Sequence, residues 1–309
     1  MKPVILIIVD MPGWALDRTA DNIIVRLKNN YTFIKAYNKD AVEAIGKKNY
    51  DLLYITYWRQ FKDAGISTDI PRPAVAGVRS HFKWDQGKGI PPSQEVIDFL
   101  NSFDALNVPS RILYDIFKEK HPAVFHTPHG VDEKVFYPRG ERHFTSQQGK
   151  LIIGWTGSKK NHPGKRGIDD FIIPAVQGLD GVTLKIAARE DKWRTQEEMV
   201  DFYHGLDAYI CASRTEGGPH PLLEAAACGI PLISTRVGIA PELIKQYENG
   251  ILVDRTVDEI RKAIVLMRDN QEMRREMGIR SREIIETGWT WDRQAVKYIP
   301  FFDYALKKT

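Results

Sequence analysis

The sequence has only two cysteines, Cys211 and Cys228, among 309 residues. Two cysteines cannot build a disulfide framework, so we expect a reducing compartment and predict a cytoplasmic protein. Long hydrophobic runs are scarce too: the longest, Val4 to Val9, is too short to cross a bilayer or to form a complete signal segment. A membrane-spanning protein is therefore not expected, although weak peripheral contact with an anionic cytoplasmic membrane face is left open.

The chain also lacks an excess of charge of one sign. Lys and Arg number 44 against 40 Asp and Glu, and the net charge of +4 is far from the basic stripe of a nucleic-acid-binding protein. Apolar residues make up 43% and charged residues 27%, which are ordinary globular proportions and exclude wholesale disorder. The length is sufficient for two domains, each with its own core.

Short apolar runs alternate with helical patterns throughout, as in βαβ units with a parallel sheet. The predicted fold class is α/β, with two doubly wound, Rossmann-like domains. Strands are expected at residues 3–10, 51–56, 74–79, 105–108 and 123–126, and again at 151–155, 182–187, 208–212, 231–235 and 251–253.

A polar segment over residues 137–149 shows neither helical nor strand periodicity and is predicted to be the interdomain linker. It separates a first domain, 1–140, from a second domain, 149–291. Two doubly wound domains that face each other would hold a ligand in a central cleft, at the carboxyl ends of their strands.

Residues 212–231 read A-S-R-T-E-G-G-P-H-P-L-L-E-A-A-A-C-G-I-P. A strand is expected to end near Ala212 and a helix to begin near Pro219–Pro221, where proline is tolerated because the first helical amides have no intrahelical partner. These amides and the positive end of the helix dipole suit a phosphate. The expected donors are the amides of Gly217, Gly218, His220, Leu222 and Leu223.

This segment closely resembles the E-x7-E segment of retaining GT-B glycosyltransferases of family 4, also called glycosyl transferases group 1. The glutamates are Glu216 and Glu224, and the similarity continues without a gap through residues 238–244 and 249–253. Further segments resemble the family's other elements: Thr127-Pro-His-Gly-Val-Asp132 before the linker, Trp289-Thr-Trp-Asp292 before the last helix, Asp10–Ala15 after the first strand, and Val78-Arg-Ser-His81.

The resemblance implies an enzyme that moves a sugar from a nucleotide-diphosphate-sugar donor to a hydroxyl acceptor, with retention at the anomeric carbon. The acceptor would be a glycan, a lipid-linked sugar or a small molecule. Residues 1–140 would form the acceptor domain, with residues 292–309 packing back on it, and 149–291 the donor domain. Acceptor contacts are expected around Gly13–Asp17, Tyr57–Phe61 and His81–Asp85.

The resemblance also assigns roles to individual residues. Glu224 would accept hydrogen bonds from the ribose, Glu216 would contact hydroxyls of the donor sugar, and His81 would lie near that sugar or assist the acceptor. Gly13 would allow backbone to approach the ligand. A structural strand-end histidine is nearly as good an interpretation of His81, and a simple turn glycine would look the same as Gly13.

The cations that would neutralise the diphosphate depart from the family pattern, which reads G-R…K-G. Here Gly157 is followed by Ser158 and Lys159, and no arginine stands directly after it. We expect Ser158 or Lys159 to lie nearest to the position that the arginine has in the family. Arg166 stands in the place of the lysine, with Lys165 as an alternative. Since a diphosphate cannot engage every basic side chain in this loop, some of them are expected to be only solvated.

No D-x-D motif occurs, so we expect a metal-independent reaction with no cofactor, the nucleotide-sugar being a substrate. His126 and His129 flank a proline with no third ligand nearby, which is too little for a metal site. Competing hypotheses are a catalytically silent nucleotide-sugar-binding scaffold, a nucleotide-sugar epimerase and a phosphorylase-like protein. A Rossmann oxidoreductase is disfavoured because no G-x-G-x-x-G follows the first strand.

Overall fold

The structure, a computed structural model, describes residues 1–60, 70–81, 84, 90–140, 149–160 and 164–308. Two compact units make up the chain: unit 1 comprises Met1–Gly130 and Trp291–Thr309, and unit 2 comprises Val131–Thr290. Unit 2 thus begins before the segment predicted as the linker. Phe61 and Asp85 of the predicted acceptor contacts, and residues 141–148 of that linker, lie outside the described residues.

Unit 1 contains a six-stranded parallel sheet in the order β2-β1-β3-β4-β5-β6. The strands are β1 Val4–Val9, β2 Thr32–Tyr37, β3 Leu52–Ile55, β4 Ala74–Gly77, β5 Ala105–Val108 and β6 Val124–His126. The helices are α1 Ala15–Leu27, α2 Ala41–Gly46, α3 Gln94–Leu100, α4 Arg111–Phe117, α11 Trp291–Ala295 and α12 Tyr298–Leu306. Every residue of β1 from Ile5 to Val9 is buried, as a strand covered on both faces requires.

Helix α12 supplies a large part of one unit 1 core. Tyr298, Phe301 and Phe302 are fully buried there, in the cluster that also contains the apolar residues of β1 and β3. The ring of Phe302 meets Tyr31 edge to face, with 5.6 Å between centroids. The hydroxyl of Tyr31 donates to Asp303 Oδ1 at 2.6 Å.

Unit 2 contains a five-stranded parallel sheet in the order β11-β10-β9-β7-β8. The strands are β7 Leu151–Gly157, β8 Val182–Ala188, β9 Ala208–Cys211, β10 Leu232–Thr235 and β11 Gly250–Val253. The helices are α5 Ile173–Val176, α6 Gln196–His204, α7 His220–Ala227, α8 Ala240–Leu243, α9 Val257–Asp269 and α10 Gln271–Ile284, with π-helical turns at Ile168–Ile172 and Ile285–Trp289.

The two parallel sheets with their helices confirm the predicted α/β class. All ten predicted strands are present, with ends that shift by one or two residues. Strand β2, at the edge of the first sheet, is additional to them. No helix in the described part of the chain combines the length and the hydropathy that crossing a bilayer requires.

Candidate functional site

The loop between β9 and α7 holds Glu216 in a network of charged and polar partners. Its Oε1 accepts hydrogen bonds from Ser213 Oγ at 3.0 Å and from Arg166 Nη1 at 3.1 Å. The Glu216 side chain is only 12% exposed, so water screens this ion pair less than a surface pair. Burial opposes ionisation of Glu216, but Arg166 and Lys165 outweigh it and hold the pKa of Glu216 below its ordinary value.

Two glycines, Gly157 and Gly167, leave space for Arg166 and its backbone beside Glu216. Gly167 adopts a left-handed backbone with φ of 71°, and a Cβ there would lie 2.4 Å from the carbonyl oxygen of Ala212. A Cβ on Gly157 would lie 2.9 Å from Cδ of Arg166. Any larger residue at either position would displace the backbone or the arginine. Glu216 in turn raises the pKa of Arg166, so the pair is ionised.

Helix α7 begins at His220, with Pro219 as its N-cap residue. The amide of Leu222 donates to the carbonyl of Pro219 at 3.1 Å, so this amide serves the first turn of the helix rather than a ligand. Gly217 is buried, and a Cβ on Gly238 would lie only 2.6 Å from its carbonyl oxygen. The close approach of these two glycines fixes the loop that leads into α7.

Glu224, on α7, is held by a tyrosine that the sequence analysis did not identify. The hydroxyl of Tyr203, on α6, donates to Glu224 Oε2 at 2.7 Å, and both side chains are buried. Burial and the neighbouring carboxylate raise the pKa of Tyr203 well above its ordinary value, so the phenol keeps its proton and remains a donor. Tyr203 carries no motif signal, since it falls on the apolar face of an ordinary amphipathic helix.

Ser158 and Lys159, the positions nearest to the missing family arginine, are joined to Glu190 after β8. Ser158 Oγ donates to Glu190 Oε1, and the amides of Lys159 and Lys160 donate to the same carboxylate at 3.0 and 3.2 Å. These bonds lower the pKa of Glu190 to about 2. Residues 158–160 therefore bind a carboxylate of the protein, that of Glu190.

Gly13 and His81 belong to unit 1. Gly13 has a φ of 75° and donates its amide to Asp17 Oδ2 at 2.8 Å, and the same carboxylate accepts from Lys35 Nζ at 2.7 Å. The positive φ favours glycine at this turn, and no atom of the described residues lies within 4 Å of a Cβ built on Gly13. His81 is buried, two residues beyond the partly buried Arg79.

Asp10 directly follows β1, and its buried Oδ1 accepts no hydrogen bond from the residues that the structure describes. Burial raises its pKa, and the charge of Asp17 adds to this. Within the described residues, no three His, Cys, Asp or Glu side chains converge on a point where they could hold a metal ion. We call Arg166, Glu216, Glu224 and Tyr203, which lie in unit 2 and make the ion pair and hydrogen bonds described above, the unit 2 set.

Comparison with known proteins gives this set a family context. Residues 192–284 match the family described as glycosyl transferases group 1. This stretch includes both glutamates, so the resemblance of residues 212–231 to glycosyl transferases group 1 is confirmed for this segment. Over 108 residues the chain is 32% identical to the GDP-mannose-dependent alpha-(1-6)-phosphatidylinositol monomannoside mannosyltransferase of Mycobacterium tuberculosis H37Rv, covering 32% of this chain and 28% of the relative. The chain thus spans less than a third of that relative's length.

Solved structures extend the similarity to the whole fold. Sucrose-phosphate synthase from Thermosynechococcus elongatus superposes over 100% of both chains with a TM-score of 0.77 at 13% identity. Anabaena HepE, solved in complex with UDP-glucose, superposes over 97% of this chain and 99% of its own with a TM-score of 0.74 at 14% identity. The GT-B fold predicted by resemblance is confirmed.

Proposed function

We propose that this chain, with its group 1 glycosyltransferase segment at residues 192–284, transfers a sugar from a nucleotide-diphosphate-sugar to a hydroxyl acceptor. The observation that carries the proposal is the ion pair between Arg166 and Glu216 at 3.1 Å beside the start of α7. The pair places a cation and a hydrogen-bond acceptor together where water is partly excluded, and their electrostatic interactions with a ligand are stronger there than in bulk water.

Each side chain of the unit 2 set has a role in this proposal. Glu224 accepts from the ribose hydroxyls, and because a carboxylate has about four acceptor positions it does so alongside Tyr203. Glu216 accepts from hydroxyls of the transferred sugar. Arg166, with Lys165 beside it in sequence, neutralises the diphosphate as its charge grows during cleavage of the glycosidic bond.

The finer mechanism follows the resemblance. Attack from the face of the departing diphosphate retains the configuration, and the diphosphate oxygen takes the proton of the acceptor hydroxyl. Neither a divalent metal nor a cofactor is needed for this route. The acceptor is a glycan, a lipid-linked sugar or a small hydroxyl compound bound by unit 1, where His81 and Gly13 are the candidate contacts. The cytoplasmic location, with or without peripheral membrane contact, stays a prediction.

The names of the similar proteins suggest which donors to test first. The mycobacterial relative is described as GDP-mannose-dependent, and Anabaena HepE was solved with UDP-glucose. We therefore propose a purine or pyrimidine nucleoside diphosphate sugar as donor. A panel of UDP-, GDP-, ADP- and CDP-sugars, with release of the nucleoside diphosphate as readout, covers both classes.

A second candidate function is a nucleotide-sugar-binding protein without turnover. It is favoured by the engagement of Ser158 with Glu190 at the position where the family has an arginine. The two candidates differ in the fate of a bound donor, because only the enzyme releases a nucleoside diphosphate from it.

The test compares wild type with Glu216→Gln, which keeps the shape but removes the charge. We expect Glu216→Gln to lower the turnover number by about a hundredfold or more, the scale for loss of one preorganised electrostatic group. Glu198→Gln is the matched control, because Glu198 also pairs with a cation, Lys192, but on the exposed start of α6. Binding of a nucleoside diphosphate without turnover of any donor would favour the silent protein, and absence of both would reject the proposed function.

A further inference from the structure

Arg255, just beyond β11, connects two loops of the candidate site through backbone carbonyls. Its Nε donates to the carbonyl of Ala212 at 2.9 Å, and its Nη2 donates to the carbonyl of Gly164 at 2.6 Å. The guanidinium also lies over the ring of Phe171, 4.1 Å from its centroid. The planar guanidinium therefore makes three contacts, two hydrogen bonds and one with an aromatic ring, and a lysine cannot make all three.

The two carbonyls belong to the segments that carry the charged site residues. Gly164 comes immediately before Lys165 and Arg166, and Ala212 directly follows β9, in the loop that contains Glu216. A second bond joins the same segments, since the amide of Arg214 donates to the carbonyl of Lys165 at 2.8 Å. Together with the close packing of Gly167 on Ala212, these contacts hold the cations against the β9–α7 loop.

Arg255 occupies this place at an electrostatic cost. Burial, and after it the positive charge of Arg214, lower the pKa of Arg255, although the charge of Asp170 acts in the opposite direction. Since burial is the largest of these causes and Arg214 and Asp170 oppose each other, the charges around Arg255 do not by themselves favour an arginine here. Its contribution to the local structure is the pair of hydrogen bonds that it donates to the carbonyls of Gly164 and Ala212.

We propose that Arg255 is a positioning residue, which holds the Gly164–Gly167 loop so that Lys165 and Arg166 meet the diphosphate of the donor. The inference rests on the proposed function of this site. Without Arg255 the loop has to be ordered when the donor binds, so affinity for the diphosphate falls. The contact to the ribose, which is assigned to Glu224, is unaffected.

The experiment measures binding by calorimetry to UDP, GDP, ADP and CDP and to the four corresponding nucleosides. With the diphosphate that wild type binds, Arg255→Ala is expected to weaken affinity about tenfold, while affinity for the matching nucleoside changes less than twofold. Arg255→Lys should give an intermediate loss. Arg261→Ala is the matched control, because Arg261 donates to the carbonyls of Pro174 and Gln177 at 3.3 and 2.6 Å, at the far end of helix α5.

The outcomes separate the two proposals. If wild type binds none of the diphosphates, the proposed function fails. If wild type binds one and Arg255→Ala binds it within twofold, the role of Arg255 is refuted. Equal losses for diphosphate and nucleoside, or an equal loss in Arg261→Ala, would show a purely structural role and also refute it. Should Arg255→Ala not fold, Arg255→Gln, which keeps one amide donor, takes its place in the same comparison.

Discussion

Replacing Tyr203 by phenylalanine removes a single hydroxyl and leaves the ring. The hydroxyl donates to Glu224 Oε2 at 2.7 Å in a buried setting, and a hydrogen bond to a charged group contributes about 1.5–3 kcal/mol. No cavity larger than one oxygen is created, and the ring contacts with Phe136, Phe202 and Tyr209 persist. We therefore expect the free energy of unfolding of unit 2 to fall by about 1.5–3 kcal/mol.

The same substitution should weaken nucleotide binding if Glu224 binds the ribose. Without the hydrogen bond from Tyr203, the Glu224 carboxylate has one fixed contact fewer, so more of its ordering takes place when the ligand binds. Ordering a glutamate side chain costs up to about 1.5–2 kcal/mol, which limits the loss of affinity to about tenfold to thirtyfold. Calorimetric titration with the nucleoside diphosphate that wild type binds measures this loss, and urea unfolding measures the stability.

Tyr31→Phe is the matched control. Tyr31 also donates from a buried phenol to a carboxylate, Asp303 Oδ1 at 2.6 Å, but in unit 1. It should destabilise the protein to a similar extent without changing nucleotide affinity. Unchanged affinity in Tyr203→Phe, or an equal loss of affinity in both variants, would refute the idea that Tyr203 orders a ribose-binding carboxylate.

Three further variants test other contacts of unit 2. The pKa of Glu190 is about 2 in the folded chain against an ordinary 4.5. The contribution of this carboxylate to stability is therefore complete above pH 4.5 and is lost as the pH falls toward 2. Glu190→Gln should reduce the decrease in melting temperature over that pH interval. Gly167→Ala should destabilise the protein more than Gly178→Ala. Both glycines have a positive φ, but the Cβ at 167 would lie 2.4 Å from the carbonyl oxygen of Ala212, whereas the Cβ at 178 would have only Arg261 Nη2 near it, at 3.9 Å, among the described residues. Equal melting temperatures of the two variants would contradict this. Thr195→Ala removes a capping box and should lower stability by about 1 kcal/mol in urea unfolding without affecting nucleotide binding.

Most of the fold could be predicted because parallel strands buried on both faces are continuously apolar. Val4–Val9 and Leu52–Ile55 have no polar residue to break the pattern. Strand β2, with the sequence TFIKAY, is different: it lies at the sheet edge, most of it is only partly buried, and it carries Lys35. An edge strand has a weaker hydrophobic pattern, so its pairing with β1 comes from tertiary context.

The candidate site could be predicted as far as its motif extends. Glu216, Glu224 and the glycines around them lie within one continuous segment, which local spacing identifies. Tyr203 and Arg255 lie on other elements, and only the folded sheet brings them to that segment. No local pattern distinguishes an arginine that binds carbonyls from one that is solvated.

The division of the chain has a consequence for its synthesis. Unit 2 is one continuous stretch, Val131–Thr290, whereas unit 1 is assembled from both sides of it. The aromatic residues that α12 buries in unit 1, Tyr298, Phe301 and Phe302, leave the ribosome after all of unit 2. The core of the amino-terminal sheet therefore cannot be completed before the ribosome has synthesised all of unit 2.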